Sequence, residues 1–150
     1  MLVTTKDMLL RAREGRYAVG AFNVESLEFV MAVVAAAEAK RSPVILQTTP
    51  GTVKYASLDY FAALCRVAAE SSSVPVAIHL DHGDGFDRCI QAMHAGYTSV
   101  MIDGSHVPFE DNIALTASVT KVAGPIGIPV EAELGKVGGK EDDGPAVEGE

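Results

Sequence analysis

No apolar run in the sequence approaches the roughly 20 residues that a helix needs to cross a bilayer. The start, Met1-Leu2-Val3-Thr4-Thr5-Lys6, lacks the long apolar stretch of a signal peptide. The expectation is a cytoplasmic protein with no membrane partner. Cysteine is scarce: Cys65 and Cys89 are the two in the chain, and they show no metal-like spacing. Both fall on predicted helices, so they read as buried, reduced thiols. Basic residues are also few, 12 Lys and Arg against 20 Asp and Glu, for a formal net charge of −8. That balance argues against a nucleic-acid groove. It leaves room for an anionic small molecule, because a local site can oppose the global charge.

Two phosphate-binding motifs are missing as well. No G-x-G-x-x-G follows the first predicted strand. Gly138-Gly139-Lys140 is not a P-loop, since Glu141 stands where Ser or Thr should follow the lysine.

What is present is a core. Hydrophobic residues make up 48% of the chain and charged residues 21%, enough apolar content for a packed globular domain. Short apolar runs alternate with helical spacing. Thr4 or Thr5 can cap a first helix with Met8, Leu9 and Ala12 on one face and Gly15 as its stop. Strands are predicted over residues 18–23, 44–48, 74–81, 99–103 and 128–134. Between them lie helices over about 26–40, from Ser57 onward with Leu58, Phe61, Leu64 and Ala68 on one face, over 86–95 capped by Asp84 and stopped by Gly96, and from Pro108 to about Ala123. The tail, residues 135–150, is glycine-rich and acidic and reads as a loop.

Strand, helix and strand repeat at roughly 30 residues, the size of one βαβ unit. An open doubly wound sheet and a (β/α)₈ barrel both fit. The strand tips favour the barrel. Each ends in polar residues at its C-terminal end: Asn23; Gln47 with Thr48 and Thr49; Asp81 with His82; Asp103; and Glu133. In a barrel those tips converge on one mouth, where the active sites of this fold lie. A barrel needs eight strands, and five are predicted. The chain therefore reads as the N-terminal part of one (β/α)₈ domain with an open strand edge.

Two clusters carry candidate chemistry. The first is His79-Leu80-Asp81-His82-Gly83-Asp84. A carboxylate beside a histidine at a strand end suits a metal ligand with an acid/base partner. Neighbouring strand residues point to opposite faces, so Asp81 and His82 share a site only if the chain turns, which Gly83 would ease. A structural histidine with an N-capping aspartate fits the same spacing. The second cluster is Glu131-Ala132-Glu133-Leu134-Gly135. Glu131 and Glu133 share a strand face, and two carboxylates turned into a barrel mouth are costly without a cation. A solvated acidic loop is the competing reading.

Four segments taken together resemble the class II fructose-bisphosphate and tagatose-bisphosphate aldolases. They are Tyr17-Ala-Val-Gly-Ala-Phe-Asn23, Ala77-Ile-His-Leu-Asp-His-Gly83, Ser99-Val-Met-Ile-Asp-Gly-Ser-His106 and the run from Val130 to Asp143. The resemblance spans the chain in order. It implies a zinc-dependent carbon–carbon lyase of carbohydrate metabolism that interconverts a ketose 1,6-bisphosphate with dihydroxyacetone phosphate and glyceraldehyde 3-phosphate, as a homodimer or higher homo-oligomer. Carried over by position, His82 matches a zinc ligand, and Asp103 and Glu133 match carboxylates at a second or alternative divalent-cation position. Asp81 matches the acid/base acting on the aldehyde oxygen. Glu141, in the loop 135–150, matches a glutamate that moves the proton next to the ketone. Asn23 and Thr49 match substrate contacts. His79 and His106 belong to the motifs but read as structural, and His94 as surface.

Lysine placement agrees with a metal mechanism. Lys6, Lys40, Lys54, Lys121, Lys136 and Lys140 all fall outside predicted strands, where an imine-forming lysine would be needed. Family members hold zinc with three histidines, and the other two lie on later strands that this sequence does not contain. The expectation is that the chain alone is inactive. The alternative is a catalytically incomplete half-barrel that self-associates or needs a complementing C-terminal chain. Another barrel enzyme with a strand-end Asp–His pair is disfavoured by the linked Glu-Leu-Gly-x-x-Gly-Gly-x-Glu-Asp-Asp segment.

Overall fold

The computed structural model describes residues 1–135. Its elements alternate: α1 (Thr5–Gly15), β1 (Gly20–Asn23), α2 (Leu27–Lys40), β2 (Val44–Thr48), α3 (Pro50–Ser71), β3 (Val76–Gly83), α4 (Phe86–Ala95), β4 (Ser99–Ile102), α5 (Phe109–Ala123), a 3₁₀ turn (Gly124–Ile126) and β5 (Val130–Ala132). The strands form one parallel sheet in the order β1-β2-β3-β4-β5. A doubly wound sheet reverses direction at a switch point, and this one does not. Parallel crossovers are right-handed as a rule, and with that hand an unreversed order puts the crossover helices on one face, as in a barrel wall. Among the described residues no helix is long and apolar enough to cross a membrane.

The two faces of the sheet separate by residue parity. Val44 and Leu46 of β2, Val76, Ile78 and Leu80 of β3, and Val100 and Ile102 of β4 join the main core beneath α2–α5. The intervening residues face the other way. Near the strand starts Ile45 and Ala77 pack with Met8 of α1. Nearer the strand ends the same face becomes polar, with Gln47, His79, Asp81 and Asp103. One face thus builds the main core, and the other gathers the polar strand-end residues.

Several local expectations differ in detail. Leu9 and Leu27 are about half exposed, and Thr5 with Met8 and Ala12 forms the buried face of α1. Helix α1 includes Gly15, and Arg16 takes the left-handed cap at φ 55°. Asp84 pairs with Arg88 at 3.1 Å, and Gly85 occupies the N-cap of α4. Gly96 does close that helix, at φ 105°.

The largest difference lies in α3. It begins at Pro50, with Thr49 as N-cap accepting from the Thr52 N–H, and it breaks at Ser57, where φ is 67° and ψ is 159°. Ser57 therefore restarts a helix and does not begin one. That backbone region is essentially reserved for glycine and costs about 1–3 kcal/mol for other residues. Ser57→Gly is expected to stabilise the chain by about 1 kcal/mol, after the extra unfolded-state entropy of glycine is subtracted. The check is a rise in urea midpoint at constant slope. A fall would show that the kink carries no strain.

Candidate active site

The C-terminal ends of β1 to β5 place Asn23, Gln47, Asp81, His82, Asp103 and Glu133 along one rim. The decisive local feature is in β3. From Leu80 to Gly83 that strand advances three residues while β4 advances two, Val100 to Ile102. The extra residue is a β-bulge, which re-aims a side chain. His82 sits inside it with φ at 48°. A regular strand would send Asp81 and His82 to opposite faces. The bulge brings both to the rim, with His82 Nε2 4.0 Å from Asp81 Oδ1. The turn is made by His82 itself. Gly83 serves a different need: a Cβ there would lie 2.5 Å from the Met101 carbonyl oxygen.

Around His82 the carboxylates converge. Its Nδ1 is 3.0 Å from Asp103 Oδ2 and 3.7 Å from Glu133 Oε2. One donor atom from each of His82, Asp103 and Glu133 falls within 4.8 Å of the others. Asp103 Oδ1 also accepts from the Ser105 N–H at 2.9 Å. Burial pushes the Asp103 carboxyl pKa up, but hydrogen bonds from Ser105 and His82 outweigh it and leave the group more acidic than usual. Asn112 Nδ2 donates to the Glu133 carbonyl at 2.8 Å, tying the end of β5 to α5.

A second group adjoins it. Gln47 Nε2 donates to Asp81 Oδ2 at 2.6 Å and to Asn23 Oδ1 at 2.7 Å. Asn23 and Gln47 are register partners across β1 and β2. Gln47 was visible in the sequence only as a polar strand tip; its bridging role depends on that register. Thr49 is buried at the start of α3, with its hydroxyl engaged by the N-cap. Glu141 lies outside the described residues, as does the loop 135–150 beyond Gly135. His94 and His106 are exposed.

His79 faces the same side as Asp81 but lies deeper. It is buried, with Nδ1 2.8 Å from Ser99 Oγ and Nε2 3.5 Å from Glu131 Oε2. Burial, and secondly the charge of His82, pushes its pKa from 6.5 down to about 4. Burial, then Asp81, raises the pKa of Glu131. Between pH 6.5 and 4 the unfolded chain takes up a proton at residue 79 that the folded chain refuses. Stability is therefore lost as pH falls through that window, by about 3 kcal/mol at its lower end from this residue. Urea unfolding at pH 7 and pH 4.5 checks the sign. His79→Gln should lose less stability over the interval, and an equal loss would remove His79 from the account.

The arrangement offers one imidazole and two carboxylates as cation donors. It also offers a further carboxylate, Asp81, oriented by an amide. Comparison with known proteins gives the family. The sequence profile described as "Fructose-bisphosphate aldolase class-II" matches residues 3–149. The chain is 49% identical over 147 residues to the fructose-bisphosphate aldolase of Geobacillus stearothermophilus, covering 95% of this chain and 50% of that protein. It is 47% identical over 146 residues to that of Staphylococcus aureus (strain Mu50), covering 95% and 51%. The crystal structure of the YdjI aldolase from Escherichia coli K12 superposes with a TM-score of 0.87 at 38% identity, over 90% of this chain and 51% of that one. The chain spans about half the length of the curated relatives it matches.

Proposed function

The chain belongs to the class II fructose-bisphosphate aldolase family, and on that premise we propose that it supplies the first five strands of a barrel that cleaves and forms a ketose 1,6-bisphosphate. The substrates are fructose or tagatose 1,6-bisphosphate, and the products dihydroxyacetone phosphate and glyceraldehyde 3-phosphate. The observation that carries this reading is the convergence of His82, Asp103 and Glu133 within 4.8 Å beside Asp81.

A nitrogen and two oxygen donors suit Zn²⁺ or another first-row divalent ion. His82 would hold zinc, and Asp103 with Glu133 a second or alternative position. When bound, the cation supplies Lewis-acid polarisation of the ketone oxygen. This chain's own residues would contribute proton transfer and substrate contacts. Asp81, fixed by Gln47, gives its proton to the aldehyde oxygen in condensation and takes it back in cleavage. Glu141 moves the proton at the carbon beside the ketone. Asn23, held by the same Gln47, contacts the triose phosphate, and Thr49 lies at the neighbouring strand end. The free, buried Cys65 and Cys89 thiols fit a reducing, cytoplasmic setting, and a homo-oligomeric assembly is part of the same proposal.

A second reading has its own support: among the described residues β1 and β5 each pair on one side only. Beside β1 runs an apolar groove of about 400 Å³ that includes Phe22, Val33, Ala36 and Val44. Such edges favour association. In that reading the chain is catalytically silent until a complementing segment covers them.

Cleavage of both sugars, with Zn²⁺ and with a chelator, beside intact and native mass, tests the two. Chelator-sensitive cleavage supports the aldolase reading and ranks the sugars. A verified 150-residue chain that binds Zn²⁺ but cleaves neither sugar supports the second. A barrel carrying all eight strands that cleaves neither would sink the first.

A further inference from the structure

Asn112 of α5 takes no part in the proposed chemistry, yet it touches both segments that bring carboxylates to His82. It is buried. Its Nδ2 donates to the Glu133 carbonyl at 2.8 Å, and its Oδ1 accepts from Thr116 Oγ1 at 3.3 Å. A backbone carbonyl only accepts, so the amide has one orientation, with its nitrogen toward β5 and its oxygen toward its own helix. Gly104, the residue after Asp103, packs directly on the same amide. A Cβ at Gly104 would lie 2.3 Å from Asn112 Oδ1, 2.7 Å from its Cγ and 3.3 Å from its Cα. The side chain that residue 104 lacks is the space that the Asn112 amide fills.

We infer that Asn112 is a positioning residue: one buried amide, packed on Gly104 and bonded to the Glu133 carbonyl, sets the separation of Asp103 and Glu133 at the cation seat. Strand β5 is three residues long, and its ladder with β4 runs from Val130 to Ala132. Glu133 lies one residue past the end of that ladder. Register with β4 holds the backbone before it, and the Asn112 bond holds the peptide after it. Bracketed on both sides, the Glu133 backbone has a fixed Cα–Cβ direction. That direction keeps Oε2 3.7 Å from His82 Nδ1. The same amide stops the Gly104 backbone, and Asp103 with it, from closing further on α5. Asp103 Oδ2 stays 3.0 Å from the same histidine nitrogen. The inference rests on reading His82, Asp103 and Glu133 as a cation seat.

The test uses the full chain, with Zn²⁺ alone as the probe and affinity read by competition with a chromophoric chelator. Asn112→Asp keeps the shape and the acceptor for Thr116 but turns an oxygen on the Glu133 carbonyl. It is expected to bind Zn²⁺ about 10–100-fold more weakly, the usual effect of losing a ligand's supporting partner. The added negative charge alone would strengthen cation binding, so the sign of the change separates position from charge. Unchanged or tighter binding overturns the inference. Thr116→Val removes the bond that does not reach β5 and is expected to bind Zn²⁺ as the parent does. A loss equal to that of Asn112→Asp overturns the inference, because any weakening of α5 would then suffice.

Gly104→Ala reads the other side of the amide. In the parent the new Cβ meets Asn112, and Zn²⁺ affinity should fall by about 10-fold. In Asn112→Ala, itself a weaker binder, Oδ1 and Cγ are gone, and the same substitution should cost less than about three-fold more. Additive losses overturn the inference, since a merely structural effect of Gly104→Ala would be indifferent to residue 112. Urea unfolding accompanies each variant, and if Asn112→Asp fails to fold, Asn112→Ala takes its place with the same expected loss. Failure of the parent chain to take up Zn²⁺ would overturn the cation seat and the role of Asn112 with it. Normal uptake that ignores residue 112 would overturn the role of Asn112 alone.

Discussion

Asp81→Asn, in a chain carrying the whole barrel, is expected to lower kcat by about 10²–10⁴-fold, the usual size for a lost general acid/base. The substitution keeps the shape of the side chain and removes its ability to carry a proton. It also keeps an oxygen for the Gln47 amide, which now donates to Asp81 Oδ2 at 2.6 Å. KM and cation content should therefore stay within a few-fold of the parent, because His82, Asp103 and Glu133 are untouched. The split matters. A loss shared equally by kcat and cation content would mean that Asp81 holds the site together and does not move a proton. Near-normal turnover would remove it from the chemistry altogether.

The Asp81–His82 pair also shows where local sequence reading stops. The motif around residues 79–84 offers a candidate site, because a carboxylate beside a histidine at a strand end suits metal and acid/base chemistry, while a structural histidine with an N-capping aspartate fits the same spacing. Alternation then says that Asp81 and His82 diverge, and Gly83 looks like the escape from that rule. The structure resolves the conflict through a register shift against β4, with the positive φ on His82. A bulge depends on two strands, so one strand's sequence does not encode it alone. The same holds for Gln47, whose bridge from Asn23 to Asp81 exists only because β1, β2 and β3 lie in sequence order and in register. The order itself was legible. Polar residues at every strand tip favoured a barrel mouth over a doubly wound sheet, and unreversed strand order follows from a barrel. The first turns of α3 were missed for a physical reason: the break at Ser57 resets the helical period, so Pro50 to Ala56 shares no phase with the turns from Leu58 onward.

The register shift makes Gly83 the position where fold and site are most tightly coupled, and Gly83→Ala is expected to damage both. The added Cβ would lie 2.5 Å from the Met101 carbonyl oxygen and 3.0 Å from Cys89 Sγ and Leu80 Cδ2. The first of these is backbone of β4 and has no rotamer through which to yield. Overpacking of this kind costs about 1–3 kcal/mol, and the upper end is expected because both strands are buried. Relief requires β3 and β4 to part at the bulge, which carries His82 away from Asp103, now 3.0 Å distant. Zn²⁺ affinity should therefore fall by about 10–100-fold, as when a ligand's supporting partner is lost. Gly124→Ala is the control: a Cβ there meets nothing within 4 Å, and φ is −56°. Because Gly124 precedes Pro125, whose ring crowds an added Cβ on helical backbone, some stability should be lost, while Zn²⁺ binding should stay unchanged. Urea unfolding and chelator competition read the two effects separately. If Gly83→Ala loses stability but binds Zn²⁺ as the parent does, the bulge tolerates the strain without moving His82, and the proposed coupling between this glycine and the cation seat fails.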